Sequence, residues 1–269
     1  MSNFYFKSIA KFLSFSLKRI TKIIVIIIMT FTFVSCSFIS KADTQTNIQI
    51  DPEIEQQVLE VIRNNPQVIL ESLQNYQEQQ RQQQEQQRQS LLDKMKNDPN
   101  SLIGESPTLG SSSAEIVMFE FSDFQCPFCS RASSTIKQFM DKHGNDVRLV
   151  YKHLPLTSIH PQAIPAAIAS WAAMKQGKFW EYHDALFENQ NRLGQELYIE
   201  IAQSLSLDIE RFNRDRSSNE AETVVNNDIQ LARELELTGT PTFVLNGELF
   251  SGALSLADFE TKLAQAQEN

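Results

Sequence analysis

Two cysteines separated by two residues, Cys126 and Cys129, have a spacing that suggests covalent chemistry in this 269-residue chain. They enclose Pro127 and Phe128, and they follow residues 115–122, a run rich in Val, Phe and Ile that predicts a buried strand. Apolar residues at helical spacing begin directly after the pair. The Cys-x-x-Cys sequence therefore lies on a predicted strand-to-helix turn.

The predicted helix N-terminus gives the two thiols different roles. Cys126 precedes Pro127, which is favoured at the first position of a helix because no N–H is needed there. Unpaired backbone N–H groups and the helix dipole favour an anion, so we expect them to lower the pKa of Cys126 and make it the attacking thiolate. Cys129 follows about one turn later, within disulfide reach, and we expect it to be the more buried, resolving thiol.

The same spacing is also half of a zinc site, so metal binding is an alternative. A structural zinc ion needs four ligands, but the remaining cysteine is Cys36, near the N-terminus. The four histidines show no close pairing that would complete a ligand set; they are His143, His153, His160 and His183. We therefore favour redox chemistry and expect no metal. The redox-active Cys126–Cys129 disulfide needs no other cofactor.

Charge argues against nucleic acid as the partner. Of the 24 basic residues, five lie in residues 1–35, which contain no acidic residue; the rest of the chain has 19 basic and 33 acidic residues, a net charge of −14. Phosphate backbones are bound by basic patches. The ordinary interpretation of the acidity is solubility.

Residues 1–36 predict an export signal. Five basic residues precede the apolar run Ile23–Val34, whose 12 residues are too few for a membrane span and typical of a signal-peptide core. The segment from Phe33 to Cys36 is similar to a bacterial lipoprotein signal, although Leu is usual where Phe33 stands. Lipidation at Cys36, an uncleaved anchor and ordinary cleavage are therefore alternatives. We expect a periplasmic protein or one anchored facing the periplasm, an oxidising compartment that suits a cysteine pair.

After a polar tether at 37–50, residues 51–100 predict a helical stalk. Its two apolar stripes are separated by Asn64-Asn65-Pro66; they contain Ile54, Val58, Val61 and Ile62, then Ile69, Leu70, Leu73 and Tyr76. Such short helices cannot bury their stripes alone and need the catalytic domain or another copy of the chain. We predict a homo-oligomer formed through residues 51–96.

A glutamine-rich stretch follows, in which ten of the 16 residues from Gln74 to Gln89 are Gln. Gln and Arg are good helix formers, and no Gly or Pro interrupts, so we predict a polar helix over 66–96, roughly 46 Å long. The alternative is a disordered low-complexity linker. Residues 101–113 are rich in Gly, Ser and Pro and predict a linker into the catalytic domain.

Residues 114–269 predict one α/β domain. The first strand and helix are followed by a second strand at 147–152, a helical region at about 161–236, and a hairpin at 242–250. The hairpin has the favoured turn Asn246-Gly247, and a capping box beginning at Ser255 opens a last helix.

This order of elements, together with Cys126-Pro127-Phe128-Cys129, resembles the thioredoxin fold with a DsbA-type helical insertion. The resemblance covers residues 114–269. Glu120 lies six residues before Cys126, where DsbA-like proteins keep an acidic residue beneath the active site. Thr240-Pro241 directly precedes the hairpin, where the family keeps a cis-proline. The fold class implied is an α/β thioredoxin fold with a helical insertion, preceded by an α-helical stalk.

The resemblance implies a thiol–disulfide oxidoreductase. Cys126 would form a mixed disulfide with a substrate protein, and Cys129 would resolve it. Glu120 would transfer the proton of Cys129; the alternative is that Glu120 is a surface residue of an alternating strand.

Substrate binding is implied at two places. The backbone of Thr240, beside a cis-Pro241, would pair with an extended segment of the substrate; the alternative is an ordinary turn proline. Pro127 and Phe128 would offer an apolar docking surface, and the alternative for Phe128 is packing in the core.

A second resemblance covers the stalk. The segment from Ile54 to Gln80 is similar to the stalk of the ScsC/Com1-like group, in which such stalks make oligomers and some members are disulfide isomerases. The partners implied are cysteine-containing envelope proteins and a membrane redox partner that reoxidises or reduces the pair. A monomeric DsbA-like oxidase is the alternative within this class. An exported Cu(I)-binding protein that uses the same two cysteines is the alternative outside it.

Overall fold

The computed structural model describes residues 51–268. The predicted export signal, the tether and Cys36 lie outside the described residues. Within residues 51–268, no helix combines the length and the apolar character that a membrane crossing requires. The chain divides into two units, Met1–Ile69 and Leu70–Asn269.

Helix α1 (Pro52–Asn64) belongs to the first unit. The Asp51 carboxylate caps it by accepting the Glu53 N–H at 3.0 Å, and Pro52 occupies its first turn. At the other end, Asn65 N–H donates to Val61 O at 3.1 Å. None of the residues of α1 is buried. Its apolar side chains are exposed in the described chain, namely those of Ile54, Val58, Leu59, Val61 and Ile62.

Helix α2 (Pro66–Asn97) runs through the glutamine-rich stretch for 32 residues without interruption. The predicted polar helix is therefore present, and the disordered alternative is not what the structure shows. Two ion pairs at i,i+3 spacing support it: Glu78–Arg81 at 2.8 Å and Glu85–Arg88 at 2.9 Å. Near its C-terminal end, Leu92 and Met95 are buried in the core of the second unit.

The predicted linker at 101–113 is instead built into the second unit. It contains part of α3 (Asn100–Ile103) and all of β1 (Thr108–Leu109), and Ile103 is buried. Trp180 Nε1 donates to Thr108 O at 2.9 Å. Small residues and Pro are equally typical of linkers and of tight turns, and here the backbone pairs with a sheet edge. The second unit thus begins well before residue 114, and it includes the last turns of the predicted stalk.

Five strands form one mixed sheet: β1, β2 (Ile116–Ser122), β3 (Val147–His153), β4 (Thr242–Leu245) and β5 (Glu248–Ser251). Their order is β1-β3-β2-β4-β5. The central β2 pairs in parallel with β3 and antiparallel with β4, and all seven of its residues are buried. This matches the apolar run that predicted a buried strand.

Both faces of the sheet are covered. Helices α4 (Pro127–His143) and α10 (Leu256–Glu268) pack on the face that carries Met118. The opposite face carries Phe119 and Phe121 and packs against the C-terminal part of α2. Alternation of side chains along β2 therefore divides the core into two layers.

Between β3 and β4, the chain forms the predicted helical insertion. Its helices are α5 (Ala163–Met174), α6 (Phe179–Glu188), α7 (Gln195–Ser204), α8 (Ile209–Arg216) and α9 (Asn219–Glu234), with a 3₁₀ turn at Gln190–Arg192. They enclose an aromatic core that includes Trp171, Tyr182, Tyr198 and Phe212. A thioredoxin-like sheet with a helical insertion is the fold class that the sequence predicted.

Because Met95 is 1% exposed, we predict that Met95→Ala destabilises the second unit. Removing a buried Met side chain leaves a cavity and lowers the free energy of unfolding by about 2–5 kcal/mol. Guanidinium titration followed by tryptophan fluorescence measures this, since Trp171 and Trp180 both lie in the second unit. Gln84→Ala, an exposed change on the same helix, is the control, with an effect within about 0.5 kcal/mol. Equal midpoints for the two variants would contradict the packing of α2.

Candidate active site

The two cysteines lie where β2 gives way to α4. Cys126 is the N-cap of α4, and Pro127 occupies its first turn. Cys126 N–H donates to Asp123 O at 3.0 Å, which closes the turn after β2. Both cysteines are free thiols, and the exposed fraction is 4% for Cys126 and 0% for Cys129. The attacking and resolving roles predicted from the sequence match this order of accessibility.

The two thiols have opposite pKa shifts. A hydrogen bond from the Cys129 thiol, the Thr240 side chain and the backbone N–H groups of Cys129 and Phe128 together lower the pKa of Cys126 to about 5, against the opposing effect of burial. Burial first, and the neighbouring Cys126 second, raise the pKa of Cys129 far above its usual value. At neutral pH the pair is therefore a Cys126 thiolate beside a Cys129 thiol.

The loop before β4 meets the pair from the other side. The Thr240–Pro241 peptide bond is cis. Cys126 Sγ lies 3.4 Å from Thr240 O, although the two residues are 114 positions apart; the protonated sulfur donates a hydrogen bond to this carbonyl, and the thiolate does not. The structure thus brings together Cys126, Cys129, Thr240 and Pro241.

Glu120 is buried in the middle of β2, with 1% exposure, and its register partners are Tyr151 and Phe243. It shares its side of the sheet with Met118, so it faces the layer that contains α4. Burial raises the pKa of Glu120 to about 7. The Ser122 hydroxyl favours the charged form of both Glu120 and Cys129, which places it near both groups. The surface-residue alternative for Glu120 does not hold.

Pro127 and Phe128 are exposed beside the redox pair, and Phe128 keeps 52% of its surface accessible. The Arg131 guanidinium lies 4.4 Å from the centre of the Phe128 ring. Core packing therefore does not account for Phe128.

Sequence reasoning missed Asp123, which is 2% exposed and contacts both cysteines. Its backbone N–H donates to Cys129 Sγ at 3.5 Å, while its carbonyl accepts from Cys126 N–H. Its carboxylate accepts from the backbone N–H of Gln125 and of Leu156 and lies 2.8 Å from His160 Nδ1. A signal was present: Asp directly after a strand commonly accepts from the N–H two residues on.

Gln190 also went unrecognised. Its Nε2 donates to Phe124 O at 2.8 Å and to Cys126 O at 2.9 Å, so the insertion holds the redox turn directly. Nothing in its local sequence marks this role, because the contact spans 64 positions.

Residues 51–268 contain no group of three or more His, Cys, Asp or Glu side chains arranged to hold a metal ion.

We predict that Cys126 reacts as a thiolate with a midpoint near pH 5. The rate of iodoacetamide modification of the reduced protein, resolved by peptide mass spectrometry, should rise through pH 5 and level off by about pH 7. Cys129 should stay unmodified across this range because it is buried and protonated. A rise for Cys126 only near pH 9 would contradict stabilisation of the thiolate.

We also predict that Glu120→Gln changes how stability depends on pH. The pKa of Glu120 is about 7 in the folded protein against 4.5 normally, so below pH 4.5 the wild-type carboxyl is neutral in both states. Between pH 4.5 and 7 the unfolded state ionises while the folded state keeps its proton, so the wild-type free energy of unfolding falls by about 3 kcal/mol and then levels off, a loss that Gln avoids. Denaturant titrations at pH 4.5 and 8 measure the difference. Glu115→Gln, at an exposed position just before β2, should show no such pH-dependent gain. A constant offset for Glu120→Gln would contradict the raised pKa.

Known structures share this architecture. A thioredoxin-like oxidoreductase from Silicibacter pomeroyi is 29% identical, with a TM-score of 0.59, and the match covers 64% of this chain and 99% of that one. Proteus mirabilis ScsC in a transitional conformation is 19% identical with a TM-score of 0.56, covering 82% of this chain and 98% of ScsC. BdbD from Bacillus subtilis is 23% identical with a TM-score of 0.55, covering 62% and 95%. The predicted resemblance to DsbA-like and ScsC proteins is confirmed.

Curated relatives match over part of their length. The Na(+)/H(+) antiporter NhaA 3 of Salinispora tropica is 35% identical over 147 residues, which are 55% of this chain and 22% of the antiporter. The antiporter NhaA 1 of Mycolicibacterium vanbaalenii is 39% identical over 140 residues, 51% of this chain and 23% of the antiporter. The chain therefore spans less than a quarter of the length of these relatives.

The family comparison agrees with the architecture, and the matched region includes the cysteine pair. The DSBA-like thioredoxin domain matches residues 117–264, from β2 to the last helix. The fold of this family is consistent with a thiol–disulfide oxidoreductase. The chain belongs to the DSBA-like thioredoxin domain family.

Proposed function

We propose that this protein is an exported thiol–disulfide oxidoreductase that forms or rearranges disulfides in envelope proteins through Cys126-Pro127-Phe128-Cys129. The observation that carries the proposal is the opposite ionisation of the two thiols. Cys126 is a stabilised thiolate at the N-terminus of α4, and Cys129 is a buried thiol beside it. One sulfur is thus ready to attack while the other holds its proton.

The exchange proceeds through a mixed disulfide. When the dithiol meets a substrate disulfide, the Cys126 thiolate attacks one substrate sulfur, and the other leaves as a thiolate. Cys129 then loses its proton and attacks Cys126 Sγ, which releases the second substrate thiolate and forms the Cys126–Cys129 disulfide. Oxidation of a substrate dithiol is the reverse, with Cys129 as the first leaving group. Stabilising the Cys126 thiolate favours the dithiol form, and therefore favours oxidation of substrates.

Glu120 serves the proton transfer in this scheme. Cys129 must lose its proton before it attacks, and its burial makes that loss costly. A carboxyl with a pKa of about 7 accepts and returns a proton near neutral pH.

Two substrate contacts complete the site. The Thr240 backbone, beside Pro241, pairs with an extended segment that carries the reacting cysteine, since its carbonyl lies 3.4 Å from Cys126 Sγ. The exposed Pro127 and Phe128 contact apolar side chains of the same segment. Net oxidation or reduction of a substrate changes the oxidation state of the pair, and we propose that a membrane redox partner restores it. Isomerisation returns the pair to its starting dithiol.

The same two thiols also suggest a Cu(I)-binding protein. Cu(I) binding by thiolates requires both cysteines to lose their protons. Burial opposes the ionisation of Cys129 in either reaction. Peptide docking needs the Thr240–Pro241 loop and metal binding does not, so the Thr240 carbonyl 3.4 Å from Cys126 Sγ favours disulfide exchange.

We assign residues 1–36 to export and Cys36 to lipidation, on the sequence pattern alone.

The exposed apolar stripe of α1, and Leu70, Leu73 and Tyr76 in α2, support a homo-oligomer through residues 51–96. In water, stripes of this kind are stabilised by packing against a second copy of the helix. Several redox sites held in one oligomer would act on one misfolded substrate, which is the arrangement suited to isomerisation.

We predict that Ile54→Gln, Val58→Gln and Val61→Gln together abolish reactivation of scrambled ribonuclease while preserving oxidation of reduced ribonuclease. The changes remove the apolar stripe of α1 and leave the second unit intact. Light scattering should report the accompanying loss of the oligomer. The matched control replaces three polar residues of α1, Gln56→Ala, Glu60→Gln and Arg63→Gln, and should behave as wild type.

Three outcomes decide between the proposals. Reactivation that needs the stripe supports an oligomeric isomerase. No reactivation by any form, with rapid oxidation by all, supports a monomeric oxidase. Equal activity of the wild type and Cys126→Ser in both assays would overturn the oxidoreductase itself.

A further inference from the structure

A groove of about 390 Å³ runs between α2 and the loop that leads into β4. Glu85 and Arg88 of α2 lie on one side, and the other side includes Glu236, Thr240 and Pro241. Its volume is within the range of about 300–1,000 Å³ that is typical of ligand clefts. All of these residues belong to the second unit.

One residue of the groove lining also contacts the reacting sulfur. Thr240 contributes to the lining and also holds its carbonyl 3.4 Å from Cys126 Sγ. An extended segment whose cysteine meets Cys126 therefore continues, on one side of that cysteine, into the groove.

Core packing fixes which face of α2 borders the groove. Leu92 and Met95 are buried, and they follow Glu85 and Arg88 by seven residues each. Residues seven apart lie on the same face of an α-helix. Because Leu92 and Met95 are packed in the core, Glu85 and Arg88 on the same face of α2 lie towards the loop before β4.

The charged groups of the groove have a net negative charge. Glu85 and Arg88 form an ion pair at 2.9 Å, with side-chain exposures of 55% and 27% respectively. Glu236 is exposed and lines the same groove as Arg88. The groove is thus lined by two carboxylates and one guanidinium that is already paired, and it favours a cation.

We propose that α2 forms one wall of the substrate groove and that Glu85, Arg88 and Glu236 select extended protein segments carrying Lys or Arg close to the reacting cysteine. The inference rests on the proposed function, since it names the substrates of the same site. A basic side chain in the groove meets Glu85 and Glu236. An acidic one meets two like charges and is disfavoured. The glutamine-rich helix is in this way a specificity element of the redox site.

The test measures how fast peptides form the mixed disulfide with the full chain carrying Cys129→Ser, which traps that species. Three peptides are used, each activated at its cysteine as a mixed disulfide with a chromogenic thiol. They are identical except that the residues flanking the cysteine are Lys, Gln or Glu. Release of the chromophore reports Cys126 attack. We expect the Lys peptide to react roughly five- to tenfold faster than the Glu peptide, with a ratio that falls as salt is added.

Glu85→Gln with Glu236→Gln should remove or reverse this preference, because Arg88 then becomes the uncompensated charge. The matched control is Glu78→Gln with Glu234→Gln, which makes the same change in net charge, once on α2 and once at the C-terminal end of α9, but outside the lining of the groove. It should keep the wild-type ratio. Since the readout is a ratio of peptides on one protein, a variant that is partly unfolded loses both rates together and leaves the ratio interpretable.

Failure of the inference is distinct from failure of the function. Equal rates for the Lys and Glu peptides, or loss of the preference in both double variants alike, would overturn the proposal that the charges of the groove select basic segments. If the chain reacts with no peptide, and with no small disulfide such as glutathione disulfide, the oxidoreductase proposal itself falls.

Discussion

The antiparallel pairing of β2 with β4 is the constraint on which the site depends. In this register Phe121 faces Thr242, so the chain that leaves β2 and the chain that enters β4 meet at the same edge of the sheet. Cys126 and Thr240 lie just beyond those paired residues, which is why a sulfur and a carbonyl so distant in sequence come within 3.4 Å. A slip of one residue would turn every side chain of β4 to the other face of the sheet, and Phe243 would leave the layer that it shares with α4 for the opposite layer.

The second constraint is that three ionisable groups share a small apolar volume. Burial raises the pKa of both Glu120 and Cys129, whereas the Cys129 thiol first, and the backbone N–H groups of α4 after it, lower the pKa of Cys126. Placing the anion at a helix terminus and its neutral partners deeper avoids two buried like charges. When Cys129 ionises during exchange, Cys126 has already lost its charge to a covalent bond. The order of the chemical steps thus follows from the cost of burying charge.

Local patterns in the sequence predicted the elements that carry the cysteines, because strand, turn and helix signals lie within a few residues of one another. Pro127 after a buried strand is sufficient to place the N-terminus of α4. The apolar run around Glu120 likewise predicted that its carboxyl would be buried. The polar contacts that hold the turn were not predictable in this way, since Asp123 reaches His160 and Gln190 reaches Cys126 through tertiary packing.

The linker prediction at 101–113 was wrong for a related reason. Composition reports that a segment has small residues and turns, but it does not report whether a neighbouring strand has a free edge. Here β3 offers that edge, and Thr108–Leu109 occupy it. Edge strands left unpaired favour association with other chains, so the segment contributes to the solubility of the fold as well as to its core.

The composition of α2 has a physical interpretation that low complexity alone does not supply. Four charged residues interrupt the glutamine run: Glu78, Arg81, Glu85 and Arg88. At about 100° per residue, these four and the buried Leu92 and Met95 all fall on one stripe roughly 100° wide. A helix that needs only solubility places charges around its whole exposed surface. In α2 the side that faces solvent consists of neutral Gln. The charged residues lie on the stripe that contains Leu92 and Met95, whose packing on the domain sets the orientation of that stripe. The charge pattern therefore follows the orientation of the helix on the domain, which is the arrangement that a helix contributing to substrate recognition requires.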